Sequence, residues 1–222
     1  MNQLKHLAVV MDGNRRWARS KGFLAKLGYF QGVKTMQKLM EVCVEEKISN
    51  LSLFAFSTEN WNRPKDEIDF IFELLDRCLN EALEKFEKNN VRLRAIGDLW
   101  RVDQKIRDKI ALVEEKTKYC NRLCVNLAIS YGSRDEIVRA AKRVLEKGLE
   151  FNEENLTQNL DLPLDVDLIL RVGNAKRLSN FLLWQCSYAE ICFSETLFPS
   201  LTKREFKKII KEFHNRERTF GK

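Results

Sequence analysis

What most constrains this chain is an alternation of short apolar runs with longer amphipathic stretches. The runs are Leu7–Met11, Leu51–Ser57, Val91–Ile96, Leu123–Ser130, Val166–Arg171 and Glu190–Phe193. They are short and rich in β-branched or aromatic side chains, so they read as strands. The stretches near Gly32–Lys47, Asp66–Lys88, Val102–Lys118, Ser133–Lys147 and Thr202–Arg216 repeat apolar residues at helical spacing. Such alternation predicts an α/β fold, a central and mainly parallel sheet flanked by helices. Ser133-x-x-Glu136 and Thr202-x-x-Glu205 are expected to be capping boxes, in which side chain and backbone satisfy each other's free donors. With three prolines in 222 residues and no low-complexity linker, residues 1–222 read as a single domain.

A composition of 44% hydrophobic and 32% charged residues excludes both a disordered chain and a membrane-spanning one. No apolar run approaches the ~18 residues a bilayer requires. The N-terminus carries no secretory pattern, so a cytoplasmic location is expected. The six cysteines form no zinc set and read as reduced thiols. His6 and His214 match no metal motif and are assigned no catalytic role. The net charge of +7 favours anionic partners. Nucleic acid is not expected, because no binding motif is present and the basic residues read as spread along the chain among acids.

Chemistry gathers where strands end. "HLAVVMDGNRRWAR" (residues 6–19) runs from an apolar strand into a lone acid, a Gly-Asn turn and arginines, a pattern suited to a metal-bound, multiply charged anion or, equally, to an ordinary strand-to-helix turn with solvated arginines. "AFSTENWNRP" (55–64) follows the second strand with good oxyanion partners and an apolar plane at Trp61. "LRVGNAKRLS" (170–179) sets Arg171, Lys176, Arg177 and Ser179 around a Gly-Asn turn, and arginine's fixed fork suits phosphate. Residues 180–190 read as an apolar helical segment ending on Glu190, a candidate second oxygen ligand for Mg²⁺ or, equally, an exposed acid at an element boundary. Ligands bind beyond the carboxyl ends of strands in open α/β sheets, so these turns are expected to share one edge. There is no phosphate loop of the G-x-x-x-x-G-K-[ST] type, no dinucleotide fingerprint and no nucleophile elbow.

The helix from Asp66 carries an apolar stripe at Ile68, Ile71, Phe72, Leu75, Leu79, Ala82, Leu83 and Phe86, with Phe70 and Leu74 outside it. Core or dimer packing is one reading. A greasy wall for an elongated apolar ligand is the other.

Together, "HLAVVMDGNRRWA", "FAFSTENWNRP", "IGD" at Ile96–Asp98, "LRVGNAKRLSNFLLWQCSYAE" and the tail "RERTFGK" resemble the cis-prenyltransferases, bacterial undecaprenyl diphosphate synthases in particular. The resemblance runs from His6 nearly to Lys222. It implies a homodimer with a hydrophobic tunnel in each subunit. It also implies Mg²⁺-dependent condensation of isopentenyl diphosphate onto farnesyl diphosphate. The product would be undecaprenyl diphosphate, precursor of a cell-wall lipid carrier, and peripheral contact with membrane lipid would assist its release. Residue by residue, Asp12 matches the catalytic carboxylate and a Mg²⁺ ligand, and Glu190 the second metal-associated acid. Gly13, Asn14, Arg15, Arg16 and Trp17 match the first diphosphate site. Ser57, Thr58, Glu59, Asn60, Trp61 and Arg63 match a mobile loop that closes over substrate. Arg171, Arg177, Leu178 and Ser179 match the isopentenyl diphosphate site. Asn60 matches a catalytic residue cast as proton acceptor; a neutral amide has negligible basicity, so positioning of a diphosphate suits it better. The chain departs from the family pattern at Ala25 and Tyr29 (commonly Arg and His), Arg15 (Gly), Ser130 (Asn), Val172-Gly173-Asn174 (Thr-Gly-Gly) and Thr219 in a usually more basic tail.

Overall fold

The computed structural model describes residues 3–216. Its strands are β1 (His6–Val10), β2 (Asn50–Ser57), β3 (Val91–Ile96), β4 (Leu123–Tyr131), β5 (Leu168–Arg171) and β6 (Glu190–Phe193). All pair in parallel, in the order β3-β4-β2-β1-β5-β6. The helices are α1 (Asn14–Ser20), α2 (Ala25–Glu45), α3 (Lys65–Lys85), α4 (Gln104–Thr117), α5 (Ser133–Glu146), α6 (Glu153–Gln158) and α7 (Lys203–His214). Leu7, Val9, Leu51 and Leu53 face a core shared with α2, α3, α4 and α7. Ala8, Val10, Ala128 and Ile169 face the opposite core, which Phe181 and Leu182 complete. Both faces of the central strands are therefore covered, which is why β1 and β5 read as unbroken apolar runs.

Three expectations need correction. The helix anticipated from Gly32 begins at Ala25. Gly28 and Gly32 form the seat of α1: a Cβ at Gly28 would stand 2.0 Å from the Asn14 carbonyl oxygen, and one at Gly32 would stand 2.5 Å from Asn14 Oδ1. The second correction concerns the first helix. The Asp12-Gly13-Asn14 turn is real, with Gly13 at φ 103°, and it opens directly into α1, a helix missing from the stretches read as helical.

The third concerns 180–190, which forms turns rather than a helix, since Ser179, Asn180 and Leu182 adopt left-handed backbone angles. That path lets Asn180 cap α5: its carbonyl accepts from Ser133 N at 2.8 Å and its Oδ1 from Arg134 N at 3.0 Å. The expected Ser133–Glu136 box is therefore absent. Glu136 is wholly buried, accepting from the Tyr131 hydroxyl at 2.5 Å and from Gln185 Nε2 at 3.1 Å, and burial raises its pKa. The Thr202–Glu205 box forms as expected.

β1 opens with a buried histidine. His6 Nδ1 lies 2.7 Å from the Asp165 carbonyl and Nε2 lies 2.7 Å from Ser52 Oγ. A carbonyl only accepts, so Nδ1 carries the proton and Ser52 donates to Nε2, while Asn126 Nδ2 donates to Ser52 at 3.2 Å. Burial pushes the His6 pKa from 6.5 down to about 4, the backbone carbonyl and Asp167 partly opposing it. The folded chain thus refuses a proton that the unfolded chain accepts, so this contribution to stability is intact above 6.5 and is lost as pH falls toward 4. Urea unfolding at about pH 7.5 and about pH 5 is expected to show a loss of about 2 kcal/mol that is missing in His6→Gln. Equal pH dependence in the two proteins would overturn the assignment.

Candidate active site

A parallel sheet brings all its strand ends to one edge, and the chain order reverses here between β1 and β5. From β1 the chain runs outward through β2 to β3 and β4, then crosses back to β5 and β6 on the other side. Two strand ends meet at that reversal. Asp12 follows β1 and Arg171 closes β5, and Arg171 Nη2 donates to Asp12 Oδ2 at 2.8 Å. Arg16, one turn into α1, reaches Asp12 Oδ1 at 3.2 Å and donates to the Gly173 carbonyl at 2.8 Å. Arg171 Nη1 donates to Ser179 Oγ at 3.0 Å.

The Arg171 side chain is 5% exposed, against 35% for Asp12 and 50% for Arg16. Burial lowers the Arg171 pKa; Asp12 opposes that, while the like charges of Arg177 and Arg16 add to it. One carboxylate thus meets two guanidinium groups, with the charge of Arg177 felt at Arg171, leaving room for further negative charge. Two buried polar atoms at this edge lack partners, Arg171 Nε and Asn14 Oδ1. Gly13 makes the turn possible twice over: its φ is left-handed, and a Cβ there would stand 2.7 Å from Leu197.

The second motif forms one 3-10 turn, Thr58–Asn62, after β2. Asn60 Oδ1 accepts from Ser57 N at 3.1 Å, so the amide is first of all a cap on its own loop. Trp61 is half-buried. Its Nε1 donates to Ser130 Oγ at 2.9 Å, and its ring stacks on Phe72 with centroids 5.4 Å apart. Glu59 accepts from Asn180 Nδ2 at 3.3 Å, and Thr58 packs against Gly132.

Several expected site residues stand outside the Asp12 ring. Arg15 and Arg63 both donate to Glu67, each at 3.1 Å, and Arg63 also donates to the Tyr29 hydroxyl at 3.0 Å. Tyr29 donates to Glu67 at 2.8 Å; burial first, then this bond, push its pKa up to about 12. Trp17 faces Phe23 at 6.2 Å, and Leu178 packs against the second core. Arg177 is exposed. Glu190 opens β6, at the amino-terminal end of the strands, and accepts from Arg216 at 2.6 Å. Within one chain it does not share a cation site with Asp12, because β6 runs parallel to β5 with Glu190 opposite Leu168, not opposite Arg171. Residues 217–222, which hold the rest of the "RERTFGK" motif, lie outside the described residues. Sequence reasoning did not find Glu67 or Asn180, whose roles depend on partners distant in sequence; Tyr29 and Ser130 were visible only as departures from the family pattern.

Behind the ring lies an apolar passage. A chamber of about 140 Å³ is lined by Met11, Asn14 and Tyr29 at one end and by Phe72 and Leu74 of α3. A second, of about 410 Å³, continues between α2, α3 and the sheet. Val33, Met36, Leu75, Cys78 and Leu127 line both. The α3 stripe is therefore a wall as well as core, whereas Phe70 packs on Tyr29 and Phe30 with centroids 6.0 and 5.7 Å away. The six cysteines are free thiols. No group of three or more His, Cys, Asp or Glu suited to a metal occurs among the described residues, and no described helix is long and apolar enough to cross a membrane.

This arrangement agrees with the comparisons. The family model described as putative undecaprenyl diphosphate synthase matches residues 10–221. An isoprenyl transferase of Campylobacter jejuni is 88% identical over 222 residues, covering all of both chains. One of Wolinella succinogenes is 46% identical over all of this chain and 98% of its own. The crystal structure of a probable undecaprenyl diphosphate synthase from Campylobacter jejuni superposes with a TM-score of 0.89 at 82% identity, covering both chains fully. That of lavandulyl diphosphate synthase from Lavandula x intermedia, in complex with dimethylallyl diphosphate, gives 0.93 at 29% identity over 99% of each chain. A family match along nearly the whole chain, with the Asp12–Arg171 pair at the mouth of an apolar passage, makes this chain a member of the undecaprenyl diphosphate synthase family, and a prenyl transferase.

Proposed function

We propose that the chain condenses isopentenyl diphosphate onto farnesyl diphosphate with Mg²⁺, in the cytoplasm, building a cis-polyprenyl diphosphate of the undecaprenyl type for a cell-wall lipid carrier. The observation that carries this reading is a cationic ring around one carboxylate, opening into an apolar passage. Diphosphate binds the guanidinium ring, and hydrocarbon fills the chambers.

In this reading Arg171, Arg177 and Ser179 hold the diphosphate of isopentenyl diphosphate, while Asn14 and Arg16 hold that of the allylic substrate. Asp12 fits a Mg²⁺ ligand. It is partly exposed, and with no cluster of protein ligands among the described residues the remaining oxygens would come from substrate and water, as Mg²⁺ commonly accepts. Bound there, Mg²⁺ supplies neutralisation of charge on the departing diphosphate. The guanidinium groups stabilise the same developing charge as the alkene of isopentenyl diphosphate bonds to the allylic carbon. A proton then leaves the new chain for a phosphate oxygen. Asn60, with its oxygen already accepting from Ser57, offers its Nδ2 donor to position that diphosphate.

Two copies are proposed to pair along the β6 edge, where Ile191, Phe193 and nearby Tyr188 are exposed apolar side chains. Product release into membrane lipid follows from the apolar tail. Burial is worth roughly 0.8 kcal/mol per CH₂, so each added isoprene tightens retention.

A radiolabelled isopentenyl diphosphate assay with thin-layer analysis tests the reading. Asp12→Ala is expected to lower kcat at least about a hundredfold with the fold intact; near-normal turnover would sink the proposed role. At the waist between the chambers, Leu75→Trp and Cys78→Trp are expected to shorten the product, and unchanged chain length would refute the tunnel assignment. In single turnover, Asn60→Ala should keep more activity than Asn60→Asp, which sets a negative charge beside diphosphate. Full rescue by Asp alone would instead make residue 60 the proton acceptor.

A further inference from the structure

The net charge of +7 has an address. Residues 13–40 carry seven Lys and Arg and no Asp or Glu, so the remaining thirty-two basic and thirty-two acidic residues cancel. The cations are therefore not evenly interleaved with acids, contrary to the expectation from sequence. The acids that follow in and just after α2 are met locally: Glu41, Glu45 and Glu46 pair with Lys203 and Lys207 of α7.

Within the basic block, residues 21–27 form the corner between α1 and α2, and all seven are exposed. Phe23, Leu24 and Leu27 are 49%, 78% and 47% exposed. Around them stand Arg19 and Lys21, which have no ion-pair partner among the described residues, and Lys26, whose Nζ lies 4.9 Å from the Phe70 ring centre. The corner is not slack. Phe23 N donates to the Ala18 carbonyl at 2.8 Å, and the Phe23 ring packs on Trp17. It also sits about one helical turn from Tyr29, which lines the upper chamber.

Bulky apolar side chains flanked by unpaired cations satisfy the two requirements of an anionic bilayer, apolar insertion and headgroup attraction. We propose that the α1–α2 corner docks on an anionic phospholipid surface. Phe23, Leu24 and Leu27 enter the headgroup boundary, Arg19, Lys21 and Lys26 meet lipid phosphates, and the tunnel mouth is held against the membrane that takes up the product. The exposed apolar residues of β6 lack this setting, since Glu190 and Glu195 flank them, and a second copy suits them better. The inference rests on the tunnel holding a lipid product, so its test reads vesicle binding apart from prenyl transfer.

The test is cosedimentation of the full chain with phosphatidylcholine vesicles, with and without phosphatidylglycerol. Preferential capture by the phosphatidylglycerol vesicles, weakened by added salt, is expected. Leu24→Ser with Leu27→Ser should lower the partition coefficient about tenfold or more, and Lys21→Glu by a few-fold. Both variants should keep wild-type prenyl transfer in detergent. Equal binding to both vesicles, or unchanged binding by the variants, would overturn the proposal. So would a change in sedimentation mass caused by Leu24→Ser, which would give the face to a second copy. Vesicle capture by a wild-type chain that transfers no prenyl group would count against the enzymatic reading and leave the docking surface standing.

Discussion

A guanidinium buried at the end of a strand is the constraint on which this site depends. Arg171 has been taken almost wholly out of water, and a buried cation persists only when it is paired and hydrogen-bonded. Asp12 supplies the pair, and its backbone is pinned to do so: its N donates to the Val10 carbonyl at 3.0 Å and its carbonyl accepts from Phe198 N at 3.0 Å. Neither residue is a free agent. The pair locks β1 to β5 where the sheet order reverses, and Arg16 then joins a carboxylate already fixed in place. The ring remains under-neutralised and keeps buried Arg171 Nε and Asn14 Oδ1 without partners. A diphosphate supplies the missing acceptors for the former; a hydroxyl, amide or water suits the latter.

The mouth of the passage is held by a second device. Gly28 and Gly32 give up helix propensity, roughly 1 kcal/mol each against Ala, to let α1 lie directly on α2. That contact carries Arg16 to the ring and Asn14 to the chamber wall. Glu67, in the first turn of α3 where the helix dipole favours an acid, gathers Arg15 of α1, Tyr29 of α2 and Arg63 of the loop. One carboxylate thus ties together the helices that flank the entrance. Tyr29, where related chains commonly carry His, keeps a polar contact by turning its hydroxyl to the same acid.

How much of this was legible in the sequence follows from range. The central strands were readable because β1 and β5 are buried along their whole length and so form unbroken apolar runs; β3, which alternates, and β6, a half-exposed edge, still have the bounds expected of them. The three charged turns shared an edge because parallel strands leave no alternative. Legibility failed where a residue's partner lies far off in the chain. Gly28 and Gly32 signal a break unless α1 is known to rest on them. Ser133–Glu136 fits a capping pattern, yet Asn180 takes the α5 amides and frees Glu136 for Tyr131 and Gln185. Arg15 and Arg63 resemble phosphate ligands equally with Arg16, and only Glu67, some fifty residues from Arg15, separates their roles. Local pattern fixes elements; it does not assign one of several equivalent arginines to one of several acids.

The two ends of the reaction space impose opposite demands. In the proposed reaction, binding at the ring is electrostatic and unchanged by chain growth, since every intermediate ends in the same diphosphate. In the chambers it is hydrophobic and rises with each added unit. An enzyme of this design therefore holds its product more tightly the longer it becomes, so release needs an apolar environment brought to the mouth. In the proposed docking, the exposed leucines beside the entrance and the acid-free basic stretch of residues 13–40 bring both attractions for a lipid surface to that point.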